Sequence, residues 1–193
     1  FELIEHDPAN QGGLGPGRVW TIFEDRSGVL WIPSNKISWL VPKSHAFSIY
    51  PRDLLLDEGI LLTLDSRNLL WAGSRKGLLG LDPATGIWSS FQPFPNPNES
   101  QINVVSGAGI YEDRSGTLWI ATTDRLNRFS PDSGDFEPVD LPVQPNCLLK
   151  GSDDLMWMCV PFRGLASLDF ETQELQVFSN DESDPLSVSF DFG

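Results

Sequence analysis

The sequence predicts an all-β protein, and three observations carry that prediction. Its 193 residues contain 17 Gly and 15 Pro spread along the chain, which indicates many turns and few long helices. A hydrophobic fraction of 40% with seven Trp and twelve Phe supports a packed core and excludes a disordered chain. A short segment also recurs along the chain at a spacing of about 40 residues, which indicates a repeat architecture.

The repeat is clearest at residues 24–32, which read EDRSGVLWI, and 112–120, which read EDRSGTLWI. A third copy at 64–72 reads LDSRNLLWA, and a fourth at 151–158, GSDDLMWM, keeps the Trp but changes the turn. Successive copies place their Trp 40, 48 and 38 residues apart, at Trp31, Trp71, Trp119 and Trp157. A period of this length without a helical pattern inside it is typical of a four-stranded β-propeller blade.

Each copy divides into four short strands separated by turn residues. In chain order the predicted strands are 19–23, 29–32, 37–41 and 46–50, then 60–64, 69–72, 78–81 and 87–91, then 109–112, 117–122, 126–129 and 136–139, then 147–150, 155–160, 165–168 and 175–178. The blades therefore span approximately residues 18–50, 59–92, 104–139 and 146–178.

The two ends of the chain predict further strands. Residues 1–6 align with the outer strand of a preceding blade, and residues 186–192 with the inner strand of a following one. The fold prediction is four four-stranded blades plus an extra strand at each end, a partial β-propeller over residues 1–193 that belongs to a larger one. Its edges would be covered by the remainder of the propeller or by a second copy of the chain.

The turn between the first two strands of a blade explains the repeated residues. Its leading Asp can accept hydrogen bonds from the turn itself, and the Gly three positions later tolerates positive φ. The second blade has Asn in place of Gly, and Asn is among the few other residues that adopt that region. These structural positions are Asp25, Gly28, Asp65, Asn68, Asp113 and Gly116. The repeated Trp is expected to pack as core between neighbouring blades.

The motif Asp-x-x-Gly-x-Leu-Trp-Ile is followed by a Gly-Leu step at 77–78 and 164–165 and by an Asp-Pro-x-x-Gly turn at 82–86. This pattern resembles the two-component regulator propeller repeat. It is specific in the first three copies and weaker in the fourth, and the first copy has residues 37–38 (IS) where the Gly-Leu step would stand. The resemblance implies a periplasmic or extracellular sensor segment of a hybrid histidine kinase, with a carbohydrate or another small ligand.

Charge and motif content exclude several function classes. Thirteen Lys+Arg against 27 Asp+Glu give a net charge of −14, which argues against nucleic acid as a partner. No run of eighteen apolar residues occurs, so no membrane segment is expected within this chain. The histidines are His6 and His45, which the blade pattern places away from a central site, and no catalytic motif is present. We expect no enzymatic activity, no cofactor and no metal site.

The basic residues concentrate in the turns between the second and third strands. Five of the thirteen lie there, with one acid beside them, and these turns share a face with the connections between blades. The candidate ligand-binding residues are Lys36, Arg75, Lys76, Asp124, Arg125 and Arg163. They favour an anionic ligand such as an acidic sugar. The alternative interpretation is that exposed turns simply accept Lys and Arg.

Three features leave alternatives open. The Pro-rich connection at 92–100 is either a binding loop or a stiff spacer. Trp20 and Trp39 could stack on a sugar, although core packing is favoured for Trp39. Cys147 and Cys159 lie on two strands of one hairpin and form either a disulfide or two thiols.

The alternative functions are a protein-interaction or assembly propeller without a small-molecule site and, from a third class, a propeller lyase or hydrolase.

Overall fold

The computed structural model describes residues 4–7, 9, 13–19, 22–34, 36–41, 46–49, 61–74, 77–91, 109–122, 125–151, 155–181, 183–184 and 186–188. These residues form β-strands and no helix. In chain order the strands are β1 (Phe23–Glu24), β2 (Leu30–Pro33), β3 (Ile37–Val41), β4 (Ala46–Ile49), β5 (Leu61–Leu64), β6 (Leu70–Ser74), β7 (Gly77–Asp82), β8 (Ile87–Phe91), β9 (Ile110–Glu112), β10 (Leu118–Ala121), β11 (Leu126–Ser130), β12 (Asp135–Val139), β13 (Cys147–Lys150), β14 (Leu155–Val160), β15 (Gly164–Asp169) and β16 (Leu175–Phe178).

The strands form four separate four-stranded sheets, each with its strands side by side in chain order. All neighbouring strands pair antiparallel, so each sheet is a meander with short turns. The four sheets are four blades of a β-propeller, which confirms the predicted fold class. Every predicted strand of these blades overlaps one in the structure. The predicted strands at the chain ends stay predictions: residues 4–6 and 186–188 are not in strands, and 1–3 and 189–192 lie outside the described residues.

Consecutive blades pack through the repeated Trp, because each indole lies in a core cluster that includes the next blade. Trp31 packs with residues of the second blade, Trp71 with the third and Trp119 with the fourth. These three side chains are 4%, 2% and 4% exposed. Trp157 is only half-buried, and its ring centroid lies 5.5 Å from that of Phe178 in its own blade. The prediction that the Trp is a wedge between blades is therefore confirmed at the three internal junctions.

In the first three blades, the leading Asp of the hairpin turn holds the turn and the indole together. In the second blade, Asp65 Oδ1 accepts the backbone N–H groups of Arg67 at 2.9 Å and Leu69 at 2.8 Å. Its Oδ2 accepts the indole N–H of Trp71 at 3.0 Å. The corresponding indole bonds are 2.9 Å in the first blade and 2.8 Å in the third. One carboxylate thus fixes both the loop conformation and the orientation of the ring that packs on the next blade.

The fourth blade has Gly151 where the other three have this Asp. A Cβ at that position would lie 2.9 Å from the carbonyl oxygen of Leu155 and 3.0 Å from the ring of Trp157. The close approach of the indole to the backbone therefore leaves no room for a side chain. In the other turns, φ is 81° at Gly28, 66° at Asn68 and 84° at Gly116, which is the left-handed region that the sequence predicts there.

Polar contacts at these turns also link successive blades. The backbone N–H and the hydroxyl of Ser66 both donate to the carboxylate of Glu112, each at 2.7 Å. Arg67 forms an ion pair with Asp132 of the third blade at 2.6 Å. Between the third and fourth blades, the ring of Phe170 stacks on Tyr111 with centroids 5.5 Å apart. The junctions therefore combine an apolar interior with contacts at the turn face.

We predict that Asp65→Ala lowers the free energy of unfolding by about 2–4 kcal/mol, because two backbone N–H groups and a buried indole N–H lose a charged acceptor. Urea denaturation followed by Trp fluorescence measures this loss. Asp135→Ala is the control, since this exposed carboxylate lies at the start of an outer strand, and its effect should stay within about 0.5 kcal/mol. Equal effects of the two substitutions would contradict the assigned role.

Acid stability should depend on Asp25. Burial alone would raise the pKa of Asp25, but hydrogen bonds from Ser27, Trp31 and the N–H of Val29 outweigh it and lower the pKa below its ordinary 3.8. A carboxyl group whose pKa falls on folding stabilises the folded protein at pH values above the pKa of the unfolded state. This stabilisation is lost as the pH falls below 3.8 and through the pKa of the folded state. Asp25→Asn should therefore lose less stability than the parent when unfolding is compared at about pH 5 and pH 3. Parallel losses would refute the prediction.

Candidate functional site

The turns between the second and third strands of the blades share one face with the connections between blades, because adjacent strands alternate in direction. Each of these turns has a cation immediately before the third strand. Lys36 precedes β3, Arg125 precedes β11 and Arg163 precedes β15, and Lys76 stands at the equivalent place in the sequence before β7. Among the described residues, the repeat therefore supplies a basic residue at this face in the first, third and fourth blades.

Buried hydroxyl groups close two of these turns. The N–H and the hydroxyl of Thr122 both donate to the carbonyl oxygen of Arg125, at 2.8 and 2.9 Å. In the first blade, Ser34 makes the same pair of bonds to the carbonyl oxygen of Lys36, at 2.9 and 3.1 Å. These bonds fix the backbone of the cationic residue, so the position at which its side chain leaves the turn is set by the fold.

The segment 140–146, which leads from β12 to β13, crosses this face between the third and fourth blades. We call the depressions along it the connector groove. On the side of the fourth blade it encloses about 490 Å³, with a wall that includes Gln144, Phe162 and Arg163. On the side of the third blade it encloses about 370 Å³ and is lined by Arg125 and Asp140. The two parts share Leu141, Val143 and Gln144.

The connector is anchored from both sides. The guanidinium Nη1 of Arg163 donates to the carbonyl oxygen of Pro142 at 3.3 Å, which ties the connector to the turn of the fourth blade. Val143 is buried in the core cluster that contains Trp119. A core residue holds the connector on one side and a surface cation holds it on the other. The groove is therefore a fixed part of the junction between the third and fourth blades.

The predicted cations are only partly brought together. Arg125 and Arg163 lie on opposite sides of the connector, whereas Lys36 lines neither part of the groove. Lys36 belongs to the first blade and lies beside Gly15. A Cβ added to that glycine would be 3.3 Å from the Cβ of Lys36. Asp140 is an acid in the groove that sequence reasoning missed. Outside the described residues lie Arg75, Lys76, Asp124, His45, Trp20 and the Pro-rich connection at 92–100.

Trp39 packs against the first core cluster, with its ring centroid 6.0 Å from that of Trp31. The favoured interpretation of Trp39 as a core residue is therefore confirmed, and a stacking role toward a sugar has no support at this position.

Cys147 and Cys159 form a disulfide, which resolves the alternative that the sequence left open. They are direct partners in the register of β13 and β14, with their Cα atoms 5.0 Å apart, within the range that disulfides span. The N–H of Asn146, the last residue of the connector, donates to the carbonyl oxygen of Cys159 at 3.0 Å. The disulfide therefore lies where the connector enters the inner strand of the fourth blade.

The turn of the fourth blade contains a residue that the sequence prediction overlooked. The N–H of Arg163 donates to the carbonyl oxygen of Val160 at 3.0 Å, and Phe162 has φ of 60°. With Pro161 at the second position of this turn and positive φ at the third, it has the features of a type II turn. The Phe162 side chain is 80% exposed. The detectable signal was an aromatic residue directly after a turn Pro, where Gly or Asn is typical.

The described residues contain no group of three or more His, Cys, Asp or Glu side chains positioned to hold a metal ion. His6 Nδ1 lies 2.7 Å from the carbonyl oxygen of Leu14. Within the described ranges, no helix has the length and hydrophobicity that crossing a bilayer requires.

Two segments of the chain, residues 13–32 and 100–124, match the family model described as two component regulator propeller. They contain the hairpin turns of the first and third blades, the two copies in which the sequence motif is clearest. The resemblance seen in the motif is thus confirmed by the family model in these segments. No curated protein matches the chain.

Solved structures with the same fold include two from B. thetaiotaomicron, each solved as the extracellular domain of a hybrid two component system. The chain is 19% identical to both, with TM-scores of 0.74 and 0.70, and is covered over 97% and 90% of its length. It spans only 25% and 23% of those domains. A gluconolactonase from Xanthomonas campestris is more distant, with 12% identity, a TM-score of 0.55 and coverage of 81% of this chain and 60% of that one. At these identities the likeness shows the fold.

We predict that the protein as isolated contains no free thiol. Its intact mass should lie below that of the reduced chain by the mass of two hydrogen atoms, and a thiol reagent should label nothing after denaturation without reductant. Replacing both cysteines by Ser should lower the free energy of unfolding by about 2–3 kcal/mol, since the cross-link closes a short loop. Two labelled thiols in the untreated protein would disprove the disulfide.

Proposed function

We propose that this chain is a ligand-sensing, non-enzymatic segment of the extracytoplasmic propeller of a two-component signalling receptor, located in the periplasm or outside the cell. The family match and the two structures solved as extracellular domains of hybrid two component systems support this proposal. The gluconolactonase shares only the fold, at 12% identity, so it does not favour an enzyme over a sensor.

The ligand is a carbohydrate that carries negative charge, and it binds in the connector groove. The main support for an anionic ligand at this site is that Arg125 and Arg163 lie on the two sides of one connector. The net charge of −14 opposes anions at long range, but charges beyond about 8 Å are largely screened at physiological salt, so local guanidinium groups decide binding. A guanidinium can donate two parallel hydrogen bonds to a carboxylate, which suits a uronic acid.

The groove lies between blades, and this gives binding a mechanical consequence. A ligand that contacts both Arg125 and Arg163 would link the third blade to the fourth, and it would bind best to the arrangement in which both cations reach it. Ligand binding would then shift the population of blade arrangements, which is the form of change that a linked output domain can sense.

A second candidate is an assembly propeller, and the surface of the fourth blade favours it. Leu149 and Leu165 are exposed there beside the half-buried Trp157, on the face that the other blades cover with their successor. The remainder of a larger propeller or a second copy of the chain would suit this face. Failure of any sugar to bind, together with self-association that Leu149→Asp abolishes, would favour this candidate over the sensor.

We predict that a galacturonic acid trimer binds the protein and that the matched neutral galactose trimer binds at least about 10-fold more weakly. Arg125→Ala and Arg163→Ala should each weaken binding of the acidic trimer by about 10-fold or more, and Asp140→Asn should strengthen it, because that carboxylate repels the ligand. Isothermal titration calorimetry measures all five affinities.

Arg26→Ala is the charge-matched control for these variants. Arg26 is exposed in the first hairpin turn, on the opposite face of the blades, so its loss changes the net charge without touching the groove. The site assignment would be rejected if Arg26→Ala weakened binding as much as the groove variants did. Absence of binding by the parent protein to the acidic trimer would reject the acidic-sugar proposal itself.

A further inference from the structure

Phe162 is a large apolar residue with an exposed side chain and a backbone conformation that is unfavourable for Phe. It is 80% exposed, and its φ of 60° lies in the left-handed region. The other non-glycine residues with positive φ in the described part of the chain are Asn68 and Gln173, both polar. Neither hydrophobic burial nor turn propensity explains a Phe at this position.

The surrounding residues fix the backbone of the turn that carries the ring. Pro161 restricts the turn on one side of Phe162, and Gly164 on the other side approaches the outer strand so closely that a Cβ would lie 2.4 Å from the carbonyl oxygen of Phe178. The next residue, Arg163, is hydrogen-bonded to the connector. A side chain in an unfavourable backbone conformation that its surroundings enforce is a common feature of binding sites.

The position of the ring within the groove indicates what it contacts. Phe162, Arg163 and Gln144 line the same part of the connector groove, together with the rigid residues Pro142, Pro145 and Pro161. An aromatic residue, an arginine and a glutamine therefore line one depression of about 490 Å³. The C–H bonds on one face of a pyranose ring form an apolar surface that packs on an aromatic ring, while its hydroxyl groups need donors and acceptors at the edge.

We propose that Phe162 is the stacking platform for a hexuronic acid ring in the connector groove. The sugar's apolar face packs on the phenyl ring, the Arg163 guanidinium binds the carboxylate at C6, and the Gln144 carboxamide bonds a hydroxyl group. This inference rests on the proposed function, of which it specifies the ligand class and adds a contact residue. It also explains why an exposed Phe occupies a turn position suited to Gly.

The decisive variant is Phe162→Gly, because stability and binding should move in opposite directions. Gly adopts positive φ without strain, so the melting temperature should stay the same or rise by up to about 4 °C. Affinity for the galacturonic acid trimer should fall by about 10-fold, since the stacking surface is gone. Phe162→Trp keeps an aromatic face and should retain binding within about 3-fold.

Gln173→Gly is the matched control. Gln173 has the same φ of 60° but lies in the turn between β15 and β16 on the opposite face, where its N–H donates to the carbonyl oxygen of Asp169 at 2.9 Å. Gln173→Gly relieves the same kind of backbone strain as Phe162→Gly, and it should leave binding of the trimer unchanged.

The outcomes separate this inference from the proposed function. If the acidic trimer binds and Arg163→Ala weakens binding while Phe162→Gly does not, the stacking role is wrong and the sensor proposal stands. A drop in melting temperature of Phe162→Gly large enough to account for lost binding would also overturn the inference, because Phe162 would then be structural. If no trimer binds the parent, both proposals fall together.

Discussion

The structure depends on one short interaction, the hydrogen bond from a Trp indole to the first Asp of its own hairpin turn. In three blades the same carboxylate also accepts backbone N–H groups of the turn, so the turn and the ring cannot move independently. Because the ring packs on the next blade, a local turn motif determines the contact between blades. A neutral turn residue would leave the buried indole N–H without a charged acceptor.

The candidate site follows from that packing. Trp119 lies in a core cluster with Val143, and Val143 is the middle residue of the connector that crosses to the fourth blade. The core contact on one side and the bond from Arg163 to Pro142 on the other hold the connector between two cations. The groove is therefore positioned by the same junction that joins the blades, which is why a ligand in it would report on blade arrangement.

The electrostatics of the chain also depend on position. Several carboxylates among the described residues lie in turns where they accept local hydrogen bonds: those from Thr85 and the N–H of Ala84 lower the pKa of Asp82, and those from the N–H groups of Thr172 and Glu171 lower the pKa of Asp169. These acids have structural roles at the face opposite the groove. The cations of the connector groove therefore lie on the face opposite these carboxylates, with Asp140 as an acid beside them.

The sequence by itself determined the blades, their strands and the wedge role of the Trp, because the repeat is periodic and each strand and turn is specified by residues close together in the chain. It also placed five of the thirteen cations in the turns before the third strands. Only the tertiary structure decided that Arg125 and Arg163 share a groove while Lys36 does not, that Cys147 is bonded to Cys159, and that Phe162 is exposed beside Arg163. The physical reason is that the groove joins residues from different blades and a connector, and distances between segments 38 residues apart are set by how the blades pack rather than by any local pattern.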